Sequence, residues 1–161
     1  MPLGIGTALA IFGAVIAIAI SGTSTAIGLA AAGKAAAAAA GEKIENGTRG
    51  LILQALPQTQ TIYAFITAMF IAIGVGLLGG TGKEIDFVTG LIMFGCGLLV
   101  GLTGLSAIMQ GMVAASGIAA TAKNEKAFPF TIMYAAQVET PALFGFIVSL
   151  LVLVIGLKVF G

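Results

Sequence analysis

Six residues of this chain are acidic, and five of them, Glu42, Glu45, Glu84, Asp86 and Glu125, fall in short polar stretches. The sixth, Glu139, stands inside a long apolar segment, about eleven residues from that segment's cytoplasmic start near 128, which at about 1.5 Å per residue places it about 16 Å into a hydrocarbon core about 30 Å thick. A carboxylate near the bilayer centre costs about 2.5 kcal/mol or more, and no Lys or Arg lies at comparable depth to neutralise it. A proton, a bound cation, or the two in turn must hold it.

Its polar company favours a cation. Thr59 and Gln60 fall one hairpin earlier at an equivalent depth, and Gln110 occupies the cytoplasmic half of the third apolar segment. Each brings a neutral oxygen to a place where polar groups are expensive. One carboxylate with a hydroxyl and two amide carbonyls is a hard-oxygen shell of net charge −1, suited to a monovalent ion, since divalent sites usually gather more negative charge. Pro57 cannot donate to the carbonyl of Leu53 and is expected to kink its helix, and Pro141 is expected to release the carbonyl of Gln137. Tyr63 and Thr140 can each offer a hydroxyl to Glu139 and favour its ionised form.

The elements that position these residues follow from composition. The 161 residues are 59% hydrophobic and 8% charged, with net charge +1, and that is the composition of a membrane protein. Polar clusters at 41–49, 79–86 and 123–126 leave four apolar segments, so helices are predicted at about 4–40, 50–78, 87–121 and 128–159. The fold class is an all-α membrane protein of four transmembrane helices in two tandem hairpins, 4–78 and 87–159, within a single membrane domain 1–161. No Lys or Arg precedes Lys34, so the charged region of a secretory signal is missing and the first apolar segment is expected to remain as a span. Lys34, Lys43, Arg49, Lys123 and Lys126 lie on one side and only Lys83 and Lys158 on the other. The positive-inside rule therefore puts the loops 41–49 and 122–127 in the cytoplasm and both termini outside.

The hairpins look duplicated. Thr25-Ala26-Ile27 recurs as Ser106-Ala107-Ile108, and Gln58-Thr59-Gln60-Thr61 recurs as Gln137-Val138-Glu139-Thr140, each after about 80 residues. The first and third segments are rich in glycine, while the second and fourth carry Tyr63, Phe65, Phe70, Tyr134, Phe144 and Phe146. Each hairpin thus pairs a thin helix with a bulky one, and wedges of this kind can close into a homo-oligomeric ring with the thin helices inward. An ordinary compact bundle uses small residues for the same packing reason.

Several functions are excluded. There is no His, and Cys96 is the single cysteine, so imidazole bases, Cys/His metal cages and disulfide frameworks are absent. The charge is too small and too scattered for a nucleic-acid surface. A phosphate-binding loop ending in Gly82-Lys83 fails, because Leu77 stands where the first glycine is needed and Glu84 where Ser or Thr is needed.

Leu56-Pro57-Gln58-Thr59-Gln60, Gln110-Gly111 and Val138-Glu139-Thr140 together resemble the proteolipid (K or c) subunit of V-type and A-type rotary ATPases, sodium-translocating kind. The resemblance covers nearly the whole chain. It implies a non-catalytic subunit in a ring of identical subunits, surrounded by lipid, that turns against a stator membrane subunit. It also implies central-stalk subunits meeting the cytoplasmic loops, and residence in the cell membrane of a prokaryote. Carried over by motif, Na⁺ is held by Glu139, Gln60, Thr59, Gln110 and the backbone carbonyl of Leu56, with Tyr63 bonding to the glutamate. The stator is expected to supply an Arg that attracts the carboxylate and releases the ion. Two positions depart from the sodium pattern: Gln58 replaces the usual glycine, and Pro141 follows Thr140 where a tyrosine is common. A proton-translocating rotor (H⁺ in place of Na⁺) is the nearest alternative, and an independent four-helix cation transporter is another.

Overall fold

The computed structural model describes residues 4–80 and 82–159; the expected domain limits at 1–3 and 160–161 lie outside the described residues, as does Thr81. Among the described residues there are seven α-helices: α1 (Ile5–Glu42), α2 (Ile44–Ala55), α3 (Thr59–Gly74), α4 (Phe87–Thr103), α5 (Ser106–Lys123), α6 (Phe128–Gln137) and α7 (Thr140–Leu150). They make four apolar spans in two tandem hairpins. Three are Ile5–Glu42, Ile44–Gly74 and Phe87–Lys123, and the fourth is a pair, Glu125–Gln137 and Thr140–Gly156, bent by 42°.

The turn of the first hairpin differs from expectation. Residues 41–49 are expected to form a polar loop with the second helix starting near 50, yet helix resumes at Ile44 and the connection is Lys43 alone, extended at φ −148° and ψ 129°. Asn46 makes this possible, because its Nδ2 donates to the carbonyl of Ala39 at 3.2 Å, while the Lys43 amide donates to the same oxygen. Those bonds satisfy an end of α1 that a longer loop would otherwise leave to water. The second hairpin turns in the same way at Asn124 (φ −145°, ψ 105°), whose side chain accepts from the Lys126 amide. Arg49 joins the two turns by an ion pair to Glu125 at 2.7 Å.

Arg49, first by its hydrogen bond and then by its charge, holds the Glu125 carboxyl below its ordinary value of 4.5. A depressed carboxyl stabilises at neutral pH, and that contribution is lost as pH falls through the lowered folded value. Replacing Glu125 by Gln should therefore shrink the loss of thermal stability between neutral and acidic detergent solution. Melting curves at the two pH values test this; the change is expected to be small, since the pair is exposed.

The second helix ends at Gly74, short of 78. Gly76 and Gly80, at φ 70° and 69°, take left-handed conformations that reverse the chain without a Cβ penalty. The link to the second hairpin is tied down by Thr7, whose hydroxyl donates to the Lys83 carbonyl and accepts from the Ile85 amide. Asp86 then caps α4 by accepting from the Val88 and Thr89 amides at 3.0 and 3.1 Å.

Spans one and three lie against each other, backbone to backbone. A Cβ on Gly90 would overlap the carbonyl of Gly6, one on Gly97 that of Gly13, and one on Gly111 that of Gly28. The pairs run in the same order along both spans, so the two are parallel. The third span is not one uninterrupted helix. At Gly104 and Leu105 its bonding tightens, with Leu105, Ala107 and Ile108 donating three residues back, and Ser24 of α1 donates to the Gly104 carbonyl at 2.8 Å. The bulkier spans two and four pack on this thin pair and meet each other through α3 and α7.

The fourth span departs most from expectation. A continuous helix over 128–159 is broken at Val138 and Glu139, and its last turns, Leu151–Gly156, widen into a π-helix. Pro141 explains the break: it has no amide proton for the Gln137 carbonyl, and the Thr140 hydroxyl donates there instead at 3.0 Å.

Candidate ion-binding site

Glu139 sits at the break between α6 and α7, half-buried, with its backbone at φ −75° and ψ −22°. Two helices face it. From α3 the Tyr63 hydroxyl donates to one carboxylate oxygen, Oε1, at 2.6 Å. From α5, Gln110 Nε2 lies 3.5 Å from the other oxygen, Oε2, and donates to the Ala135 carbonyl at 3.1 Å. Gln60 Nε2 donates to Gln110 Oε1 at 2.7 Å, and both amide side chains are fully buried. Thr59 Oγ1 lies 3.2 Å from Gln60 Oε1 and donates to the Leu56 carbonyl at 3.1 Å.

All six residues named from the sequence are therefore in one connected polar network. A line of contacts runs from the Leu56 carbonyl through Thr59, Gln60 and Gln110 to Glu139 and Tyr63. It spans three helical elements inside an apolar bundle, where each unpaired group would be costly. Helical spacing explains the assembly, since Thr59 and Tyr63 are four residues apart on one face of α3.

Two local expectations are corrected. The Leu53 carbonyl is not released by Pro57, because the chain tightens into the 3₁₀ turn Leu56–Gln58 and the Leu56 amide donates to Leu53. The same turn sets the Leu56 carbonyl beside Thr59. Thr140 does not reach Glu139, since its hydroxyl is taken by Gln137. Gln58 is exposed and contributes nothing to the network, so its side chain leaves the Glu139 cluster undisturbed.

Ser106 is a site residue that sequence reasoning missed. Its hydroxyl lies 3.4 Å from Gln60 Nε2, and its position four residues before Gln110 puts the two on one helical face, a spacing that could have revealed it. The Ala135 carbonyl has no such signal, because a backbone group is invisible in residue types.

Among the described residues no group of three or more Cys, Asp or Glu side chains could hold a resident metal. What the site offers is one carboxylate faced by two neutral donors, the Tyr63 hydroxyl and the Gln110 amide, with the oxygens of Gln110, Gln60, Thr59 and Leu56 following along the same network.

The sequence pattern of the ATP synthase C subunit matches twice, over residues 12–71 and 94–152. The chain belongs to the ATP synthase C-subunit family. Each match falls on one hairpin. Among curated relatives, the chain is 42% identical over 104 residues to the V-type sodium ATPase subunit K of Enterococcus hirae, covering 64% of this chain and 63% of that one. It is 36% identical over 104 residues to the A-type ATP synthase subunit K of Methanocaldococcus jannaschii, covering 65% of this chain and 43% of that one. The aligned stretch thus spans less than two thirds of each relative's length. Two copies of the family pattern in one chain account for the doubled hairpin, and the copies differ at the site: the second hairpin carries Glu139 where the first carries Gln60.

Proposed function

We propose that this chain is the non-catalytic, ion-carrying subunit of the rotor ring of a V-type or A-type rotary ATPase, binding Na⁺ at Glu139 and carrying it past a stator during ATP-driven rotation. The observation that carries this reading is the joining of Glu139, across three helical elements, to Gln110, Gln60, Thr59 and the Leu56 carbonyl. A proton needs one carboxylate and no such shell. The name of the Enterococcus hirae relative, a sodium ATPase subunit, supports the same ion.

In this reading the residues act as follows. Glu139 supplies the charge; Gln60, Thr59, Gln110 and Leu56 supply neutral oxygens, and the Gln110 amide turns its Oε1 toward the ion when one enters. Tyr63 pins the carboxylate against the cluster. The bound state is neutral overall and can face lipid. At the stator a cationic residue, best an Arg because its guanidinium stays charged and pairs through two hydrogen bonds, draws the carboxylate away and frees the ion. The break at Val138 and Glu139 supplies a backbone joint at the residue that has to move.

Identical copies form the ring, with the hairpins 4–78 and 87–159 as its repeated wedges. Both termini lie outside a prokaryotic cell membrane. The turns at Lys43 and Asn124, bordered by Lys34, Arg49, Lys123 and Lys126, lie in the cytoplasm and meet central-stalk subunits.

Carbodiimide labelling of Glu139 in the purified rotor, followed across pH with and without NaCl, tests the reading, because carbodiimides attack the protonated carboxyl. Millimolar NaCl should slow the reaction and KCl should not. Labelling that follows pH alone overturns the sodium site and leaves a proton rotor. Gln60→Leu adds a second result. Removing a buried ligand should raise the NaCl concentration needed for half-protection about tenfold, the scale of a buried polar partner lost. A proton rotor's labelling would be little affected.

A further inference from the structure

Tyr63 is held at both ends. Its hydroxyl is on Glu139, and its ring lies against Phe146 of α7, with centroids 4.9 Å apart and planes inclined by 15°. Phe146 follows Glu139 by seven residues, two turns along the same span, so one span presents Tyr63 with both a carboxylate for its hydroxyl and a flat surface for its ring. Neither Phe146 nor any other ring is part of the ligand shell. The backbone of Tyr63 is tied in addition by the Thr67 hydroxyl, which donates to its carbonyl at 2.9 Å. A phenol free at its ring would sweep its oxygen through several ångströms by rotating about χ1 and χ2, whereas a 2.6 Å hydrogen bond tolerates a few tenths.

We propose that Phe146 is a positioning residue: by stacking on Tyr63 it fixes the phenol as a stationary post onto which the Glu139 carboxylate closes after each ion exchange. This rests on the reading of Glu139 as the ion-carrying group. It adds a component outside the ion-ligand set, placed beyond the hinge at Val138 and Glu139. The post is on α3 and its brace is on α7, so the bent span keeps its grip on Tyr63 while the carboxylate moves. The groups that face Glu139 in this arrangement are Tyr63 on α3 and the neutral Gln110 on α5.

The test uses the intact rotor in membranes, carbodiimide labelling as the readout, and recovery of assembled ring as the check on folding. The variants are Phe146→Leu, Phe146→Met as a second truncation should the first fail to assemble, Phe146→Tyr as the conservative rescue, Tyr63→Phe, and the Tyr63→Phe/Phe146→Leu pair. Losing the stack should raise the NaCl concentration for half-protection about three- to tenfold in Phe146→Leu or Phe146→Met, the range expected of an aromatic pair, and Phe146→Tyr should restore it. In the Tyr63→Phe background Phe146→Leu should add nothing, because there is no hydroxyl left to position. A shift of equal size in that background, or no shift in either truncation, overturns the proposal. Should NaCl fail to protect the parent rotor, the sodium reading falls by itself. The same variants are then compared by the pH of half-labelling, where a shift present with Tyr63 and absent without it supports the post and no shift overturns it.

Discussion

Glu139→Gln should abolish both carbodiimide labelling of the chain and sodium transport by the complex, while leaving a chain that inserts and assembles. The two effects come apart because of what the amide keeps and what it loses. It keeps the shape of the side chain and a carbonyl oxygen that can accept from Tyr63, now 2.6 Å from the carboxylate, and can still face Gln110. It removes the charge that costs about 2.5 kcal/mol or more at mid-membrane depth, so insertion is if anything easier. What disappears is the one anionic oxygen pair in the shell. Gln60, Thr59, Gln110 and the Leu56 carbonyl are neutral, so without Glu139 a bound Na⁺ would leave an uncompensated positive charge at mid-membrane depth. Labelling is read by the mass of the purified chain and transport by ²²Na⁺ uptake into vesicles holding the complex. Both should fall to background. The other five carboxylates lie in the turns and ends, where they offer no mid-membrane site. Sodium uptake persisting in Glu139→Gln would sink the assignment of Glu139 as the carrier.

Glu139 was legible from sequence because a charged group in an apolar run has no cheap explanation, and Gln60, Thr59 and Gln110 were legible because depth can be counted along a helix. Their hydrogen-bonded order needed coordinates, since side-chain reach across three elements is not encoded in spacing along any one of them. The hairpin turns were illegible for a physical reason. Residues 41–49 are as polar as a loop, but Asn46 caps the preceding helix from within the next one, and polarity alone does not separate an exposed loop from an exposed helical end. The break at Val138 and Glu139 was equally hidden. Hydropathy runs on through it, and Pro141 signals a lost hydrogen bond without saying that the Thr140 hydroxyl will replace it. Pro57 shows the same limit: its missing donor is plain in the sequence, but the chain answers by tightening into a 3₁₀ turn that occupies Leu53 and sets Leu56 beside Thr59.

Gly111→Ala should be strongly damaging, and Gly95→Ala, the same change in the same span, should be harmless. In isolation the two are chemically identical: each places alanine in a helix, which by propensity alone stabilises by roughly 0.5–1 kcal/mol. The surroundings separate them. A Cβ at Gly95 meets nothing within 4 Å, whereas one at Gly111 runs into the Gly28 backbone, including the carbonyl carbon at 2.5 Å. Backbone cannot turn aside as a flexible side chain can, so α1 and α5 must separate, at a cost toward the upper end of about 1–3 kcal/mol for an overpacked contact. Because Gln110 is the preceding residue, the displacement also pulls its amide from Gln60, now at 2.7 Å, and from Glu139. Gly111→Ala should therefore lower the melting temperature in detergent and weaken NaCl protection of Glu139 together, while Gly95→Ala changes neither for the worse. A melting temperature unchanged by Gly111→Ala would mean that spans one and three stand too far apart for their backbones to touch. Since the thin pair is what brings the Gln110 face toward Gln60, the ion shell would then need a different basis.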